Sequence, residues 1–232
     1  MTILTTLGFP LITIIFYGLF IQELKSGIVA TSWQKEKKRK VRNRIIIGLV
    51  VWAIIISAVS LSGFSGEFEL FPLNIMPFVI VPLITTLILL FHKDTNALLS
   101  KINLKVLTRL QAFRAFVEIV LWLLFIQNLL PEQMTFEGRN FDIIAGITSL
   151  LAARFILNSR RLMIVWNIIG LALLINIVSI AILSMPTSLR IFENEPANII
   201  ITQFPFIVLP TFLVPLAYIL HFLSLKKLLM KS

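Results

Sequence analysis

The sequence predicts an all-α, polytopic membrane protein of seven transmembrane helices, with its N-terminus outside and its C-terminus inside. Three observations predict it. Apolar residues form 58% of the 232 residues and charged residues only 14%, with a mean hydropathy of +0.96, whereas a soluble domain is about half apolar and a quarter charged. Seven apolar stretches bounded by charge have the length that a hydrocarbon core of about 30 Å demands. Lys and Arg lie overwhelmingly on one side of those stretches. The same composition excludes collagen-like, disordered and disulfide-stapled classes, since Gly is 9, Pro 10 and Cys 0.

The stretches are Ile3–Gln22, Ile45–Ser62, Pro72–Phe91, Phe113–Leu130, Ile143–Leu157, Leu162–Leu183 and Ile199–Leu225. The first has no Lys or Arg before it and no small-residue cleavage pattern after it, so it is expected to be a retained helix. The second follows the run Lys35–Arg44, expected to be an inner loop that meets anionic lipid head groups at roughly 1 kcal/mol per cation. That reading accounts for the net charge of +10 without a nucleic-acid site. With Lys25, Lys93, Lys101, Lys105, Arg109, Arg114, Arg154, Arg160, Arg161, Lys226, Lys227 and Lys231, the inner side holds all but Arg139 and Arg190 of the 21 cations. Such lopsidedness fits insertion into a cytoplasmic membrane, inner or plasma.

The third stretch carries Pro72, Pro77 and Pro82, and the seventh carries Pro205, Pro210 and Pro215; each trio has a five-residue interval, and the two are displaced by 133 positions. Val51-Trp52 in the second stretch and Val165-Trp166 in the sixth add a weaker echo. A single membrane domain over 1–232 is expected, with a three-helix unit at 1–91, a linker helix at 113–130 and a second unit at 143–225. This 3+1+3 parallel repeat resembles the plan of SWEET-type sugar facilitators, which implies solute transport. The Pro-Gln dipeptide of that group occurs nowhere in the chain, and no residue role is carried over. An opsin is excluded because the seventh stretch has no lysine until Lys226 at its inner end. Each interior proline removes a backbone donor and crowds the carbonyl one turn back, so the six prolines are read as hinges or cavity wall.

In the fourth stretch Gln111, Arg114 and Glu118 share a helix face, and Arg154 enters the fifth at comparable depth. Charges inside hydrocarbon cost about 2.5–3.5 kcal/mol each, which makes this group the candidate polar site, with Arg114 and Arg154 as partners of Glu118. Ala145, Ser149 and Ala153 form a small-residue stripe that lets another helix approach. Asn167, Asn176 and Gln203 are placed to bond across helices. The outer loop between stretches four and five holds Glu132, Glu137, Arg139, Asn140 and Asp142, of which Asn140 or Asp142 is placed to cap the fifth helix.

No metal site is expected from His92 and His221, and no cofactor. Neither a phosphate-binding glycine loop nor a hydrolase or metalloprotease motif is present. The favoured function is therefore a transporter or facilitator of a small solute. The alternatives are a non-catalytic membrane subunit or seven-helix sensor and, third, a lipid-acting enzyme using Glu132, Glu137 and Asp142.

Overall fold

The computed structural model describes residues 2–230, so Lys231, counted above among the inner cations, lies outside them. Helix α1 (Ile3–Ala30) opens on a reciprocal cap between Thr2 and Thr5 and closes where the Thr31 hydroxyl donates to the Ile28 carbonyl. Helix α2 (Lys35–Leu61) begins in the basic run itself and ends before Gly63, whose φ of 82° reverses the chain. The expected inner loop at Lys35–Arg44 is thus mostly helix. Lys40 pairs with Glu36 one turn back at 2.8 Å, and Lys37 reaches Asp94 at 2.6 Å, which together favour continuing the helix past the apolar boundary.

Two single turns lead to α3 (Met76–Phe91), which has Pro77 in its first turn. At His92 the chain bends by 85° into the short α4 (Lys93–Lys101), whose start is capped by the His92 Nδ1 accepting the Asp94 amide. Helices α5 (Leu104–Leu110) and α6 (Phe113–Phe125) form one interrupted rod. Then come α7 (Asp142–Leu151) with a wide π turn at Ala152–Ile156, α8 (Arg160–Leu183), and α9 (Val214–Leu229) preceded by a second π turn at Leu209–Leu213. In the loop between α8 and α9, Arg190 donates to the Glu195 carboxylate at 2.8 Å and holds it below the usual carboxylate range.

Among the described residues, four segments are long and apolar enough to cross a membrane, namely α1, α2, α8 and Leu209–Leu229, or five if the bent α3–α4 pair is one span. This differs from seven uniform spans. Helix α6 has 13 residues, about 20 Å of rise. Helix α7 with its π turn has 10 and 5 residues, about 22 Å together. They are short because the segment between them does not stay at the surface: Gln133, Met134, Thr135, Asn140 and Asp142 are buried in the bundle.

Packing sets α1 against α6, α6 against α7, α8 against α9, and α3 directly against α9. The small-residue stripe of α7 is buried as its spacing predicts, Ala145, Ser149 and Ala153 all facing inward. The prolines act through carbonyls. Pro215 cannot donate to the Thr211 carbonyl, and the Trp52 indole of α2 takes that acceptor at 3.0 Å. The Phe212 carbonyl, in the same wide turn, accepts the Tyr17 hydroxyl of α1 at 3.0 Å. Trp166 instead donates to the Thr148 hydroxyl, so the two tryptophans of the sequence echo make different bonds. Trp52→Phe keeps the packing and orphans the Thr211 carbonyl. It is expected to lower the unfolding free energy in detergent by about 1–3 kcal/mol; an unchanged unfolding midpoint would show that the indole bond carries no weight.

Candidate functional site

Five segments of the chain deliver polar groups to one buried spot, four of them as side chains and Gly170 as its carbonyl. Arg114 comes from the first turn of α6, Asp142 opens α7, Gly170 lies near the middle of α8, His221 lies on α9, and Asn140 precedes α7. Arg114 and Glu118 are each 1% exposed. The Arg114 guanidinium grips both Asp142 oxygens, with Nε at 2.6 Å from Oδ2 and Nη2 on Oδ1. Nη2 also donates to the Gly170 carbonyl at 3.0 Å, and Nη1 meets His221 Nε2 at 2.9 Å.

The neighbours of His221 determine its tautomer. Arg114 can only donate, so Nε2 is the acceptor. On the other side, Asn167 spends its amide N–H on the Met163 carbonyl at 2.8 Å and offers its Oδ1 to His221 Nδ1 at 2.9 Å, which places the ring hydrogen on Nδ1. Gly170 makes this approach possible. A Cβ there would lie 2.4 Å from His221 Cε1 and 2.6 Å from Nε2.

Glu118, one turn beyond Arg114, is held differently. The Asn140 amide donates to both of its oxygens at 2.7 Å and to the Met134 carbonyl at 3.0 Å. Asn140 Oδ1 accepts the Asp142 amide at 3.0 Å, satisfying one donor at the head of α7. Gln111 donates to the Ala217 carbonyl at 3.0 Å.

Beside this cluster lies a cavity of about 70 Å³ between α3, α6, α8 and the π turn and head of α9. Its wall is apolar, with Met76, Val117, Met134, Leu174 and Leu209 among the lining residues, and Arg114, Glu118 and Asp142 reach it at one edge.

Several sequence expectations are corrected here. Arg114 does not pair with Glu118 within the helix. Arg before Glu at a four-residue spacing is the weaker order, and Asp142, seated where the helix N-terminus favours an anion, offers a bidentate carboxylate instead. Arg154 is exposed, stacked over Phe155, and takes no part; the wide π turn carries it away from the centre. Of the six prolines, only Pro210 lines the cavity, while Pro77 and Pro215 start helices, Pro82 lies inside α3, and Pro72 and Pro205 lie in the turns that lead in. Glu132, Glu137 and Arg139 are exposed, Glu137 accepting the Trp122 indole at 2.6 Å. They do not converge with Asp142, whose oxygens are taken by Arg114. Asn176 donates to the Arg139 carbonyl, while Gln203 is exposed.

Two members of the cluster escaped sequence reasoning. His221 was weighed only as a metal ligand and set aside, although an ionisable His inside an apolar stretch, six residues after Pro215, was itself a signal. Asp142 was assigned to the outer loop because nothing in linear spacing shows a loop folding inward.

A family model covers residues 70–229, from the turn before α3 to the end of α9, and so includes every residue of the cluster. The family is described as a domain of unknown function, DUF8737. The chain belongs to this family. Helices α1 and α2, with the Tyr17 and Trp52 that close the π turn of α9, lie outside the matched segment. No curated protein and no solved structure matches the chain.

Proposed function

We propose that this protein is a multi-pass membrane transporter or facilitator of a small solute, with the N-terminus outside, the C-terminus inside, and seven crossings once α6 and α7 count with the irregular segments that extend them. The observation that carries the reading is the buried Arg114–Asp142–His221 and Glu118–Asn140 cluster, which borders a cavity between interrupted helices. Ionisable groups inside a membrane are expensive and mark solute or ion paths. Irregular helices, such as α7 beginning deep in the bundle and the π turn at Leu209–Leu213 that runs into α9, are like the discontinuous elements that build transport sites. The segregated cations support the orientation and a cytoplasmic membrane, with anionic lipid at the basic start of α2. The proline trios support a 3+1+3 repeat.

Reconstitution into liposomes tests the reading. Uptake of at least one solute from a broad panel is expected, with a rate at least about tenfold lower in Glu118→Gln, a loss of 1.4 kcal/mol or more. No uptake from any solute, together with proton flux that Glu118→Gln leaves unchanged, would overturn it.

One observation favours a second reading, a membrane subunit. Helix α2 buries only Ile56 and Ser60 along its length. Since the sequence has Cys 0, a single Val50→Cys substitution gives a clean cross-linking probe on its exposed face. A stoichiometric adduct with another protein in native membranes would move the assignment to that reading.

A further inference from the structure

The hydrogen-bond capacity of the cluster indicates what the cavity can take. Arg114 has five N–H donors, and its contacts to Asp142, Gly170 and His221 occupy four of them, so little is left for an incoming anion. Both Asp142 oxygens are engaged by that guanidinium. Glu118 is the reverse case. A carboxylate offers about four lone-pair sites, and the Asn140 amide uses two. Among the described residues no cation pairs with Glu118, and the buried guanidinium beside it, Arg114, is neutralised by Asp142. The cavity therefore presents unspent acceptors, one unbalanced carboxylate and an otherwise apolar wall.

We infer that the cavity binds a short-chain alkyl ammonium ion, its head on Glu118 and its chain against the apolar wall, in exchange for a proton on the same carboxyl. This rests on the reading of the cavity as a solute site. A dry cavity of about 150 Å³ holds one benzene ring. The 70 Å³ here is about half of that and suits a chain of about three heavy atoms. A bare divalent metal ion is a poor fit because the wall supplies no further free oxygen ligands. In the exchange, the proton leaves the Glu118 carboxyl for water as the ammonium takes its place, and total charge in the cavity is unchanged. The ionisable groups around Glu118 are Arg114 on its own helix, Asp142 on α7 and His221 on α9. Glu132, Glu137 and Arg139 of the connecting loop are exposed, α3 has no charged residue between 76 and 91, α8 has only Arg160 and Arg161 at its start, and α1 has Glu23 and Lys25 near its end. One exchangeable proton is thus expected.

Calorimetric titration of the full chain in detergent, with ethylammonium, ethanol and acetate, separates the possibilities by charge at similar size. Ethylammonium is expected to bind one per chain and at least tenfold more tightly than the other two. It should release one proton, so its affinity should rise about tenfold for each unit increase in pH as long as the Glu118 carboxyl of the free chain holds its proton. Glu118→Gln is expected to abolish both the ammonium preference and the proton release. Should that variant not fold, infrared spectra of the wild type decide: adding ethylammonium is expected to remove the band of a protonated carboxyl. Tightest binding of acetate, or binding of ethylammonium without proton release, would overturn the inference. Flux of some other solute with no ethylammonium binding would also overturn it and leave the transport reading standing. Ethylammonium binding with no flux of any solute would support the inference and count against transport.

Discussion

Arg114→Leu is expected to cost about 3–5 kcal/mol of folding stability. Removing the guanidinium leaves Asp142 buried with its oxygens unanswered, frees the Gly170 carbonyl and strands His221 Nε2 without a donor. The cost comes from the orphaned groups more than from the lost attraction, and that makes a second variant informative. Arg114→Leu combined with Asp142→Leu removes both charges and is expected to recover most of the loss, since buried pairs replaced by apolar groups are often neutral or stabilising. Unfolding in mixed micelles, followed by helical signal, measures both. If the double variant is as damaged as the single one, orphaned charge is not the mechanism, and the role of Arg114 lies in the Gly170 and His221 contacts instead.

Gly146→Ala is expected to have the next largest effect, at the upper end of the 1–3 kcal/mol typical of overpacking. A Cβ on Gly146 would lie 2.3 Å from the Ala115 backbone nitrogen. Backbone cannot rotate aside as a side chain can, so α7 must withdraw from α6. Those two helices carry Asp142 and Arg114, and separating them loosens the ion pair as well. A matched control is available on α2, where a Cβ on Gly48 meets nothing within 4 Å. Gly48→Ala is expected to be neutral or slightly stabilising through helix propensity. Equal stability of the two variants, read from thermal unfolding in one detergent, would show that the α6–α7 contact tolerates a methyl group.

Particular residues show where linear reading succeeds. Glu118 and Arg114 stand out because charge in an apolar run is costly wherever the helix packs, and both are buried. The stripe Ala145, Ser149 and Ala153 signals close approach because a four-residue interval returns to one helix face, and all three residues are buried. The same reading fails for partners. Arg154 has the right residue type and approximate depth, yet the π turn at Ala152–Ile156 rotates it outward. Asn140 and Asp142 belong to the polar stretch that precedes the fifth apolar segment, yet they fill the centre.

The sequence by itself determined that this chain is all-helical, that several of its helices are long and apolar enough to cross a membrane, and that Arg114 and Glu118 interrupt another apolar stretch at a cost. These are properties of single segments, because hydropathy and helical period depend on residues within a few turns of one another. Only the tertiary structure decided that Arg114 answers Asp142 and His221, that Glu118 keeps acceptors to spare, and that α3 and α9 share an apolar cavity. Those outcomes depend on which donors and acceptors, far apart in the chain, meet at hydrogen-bond distance, and on how the inward loop and the π turns shift the register of each helix.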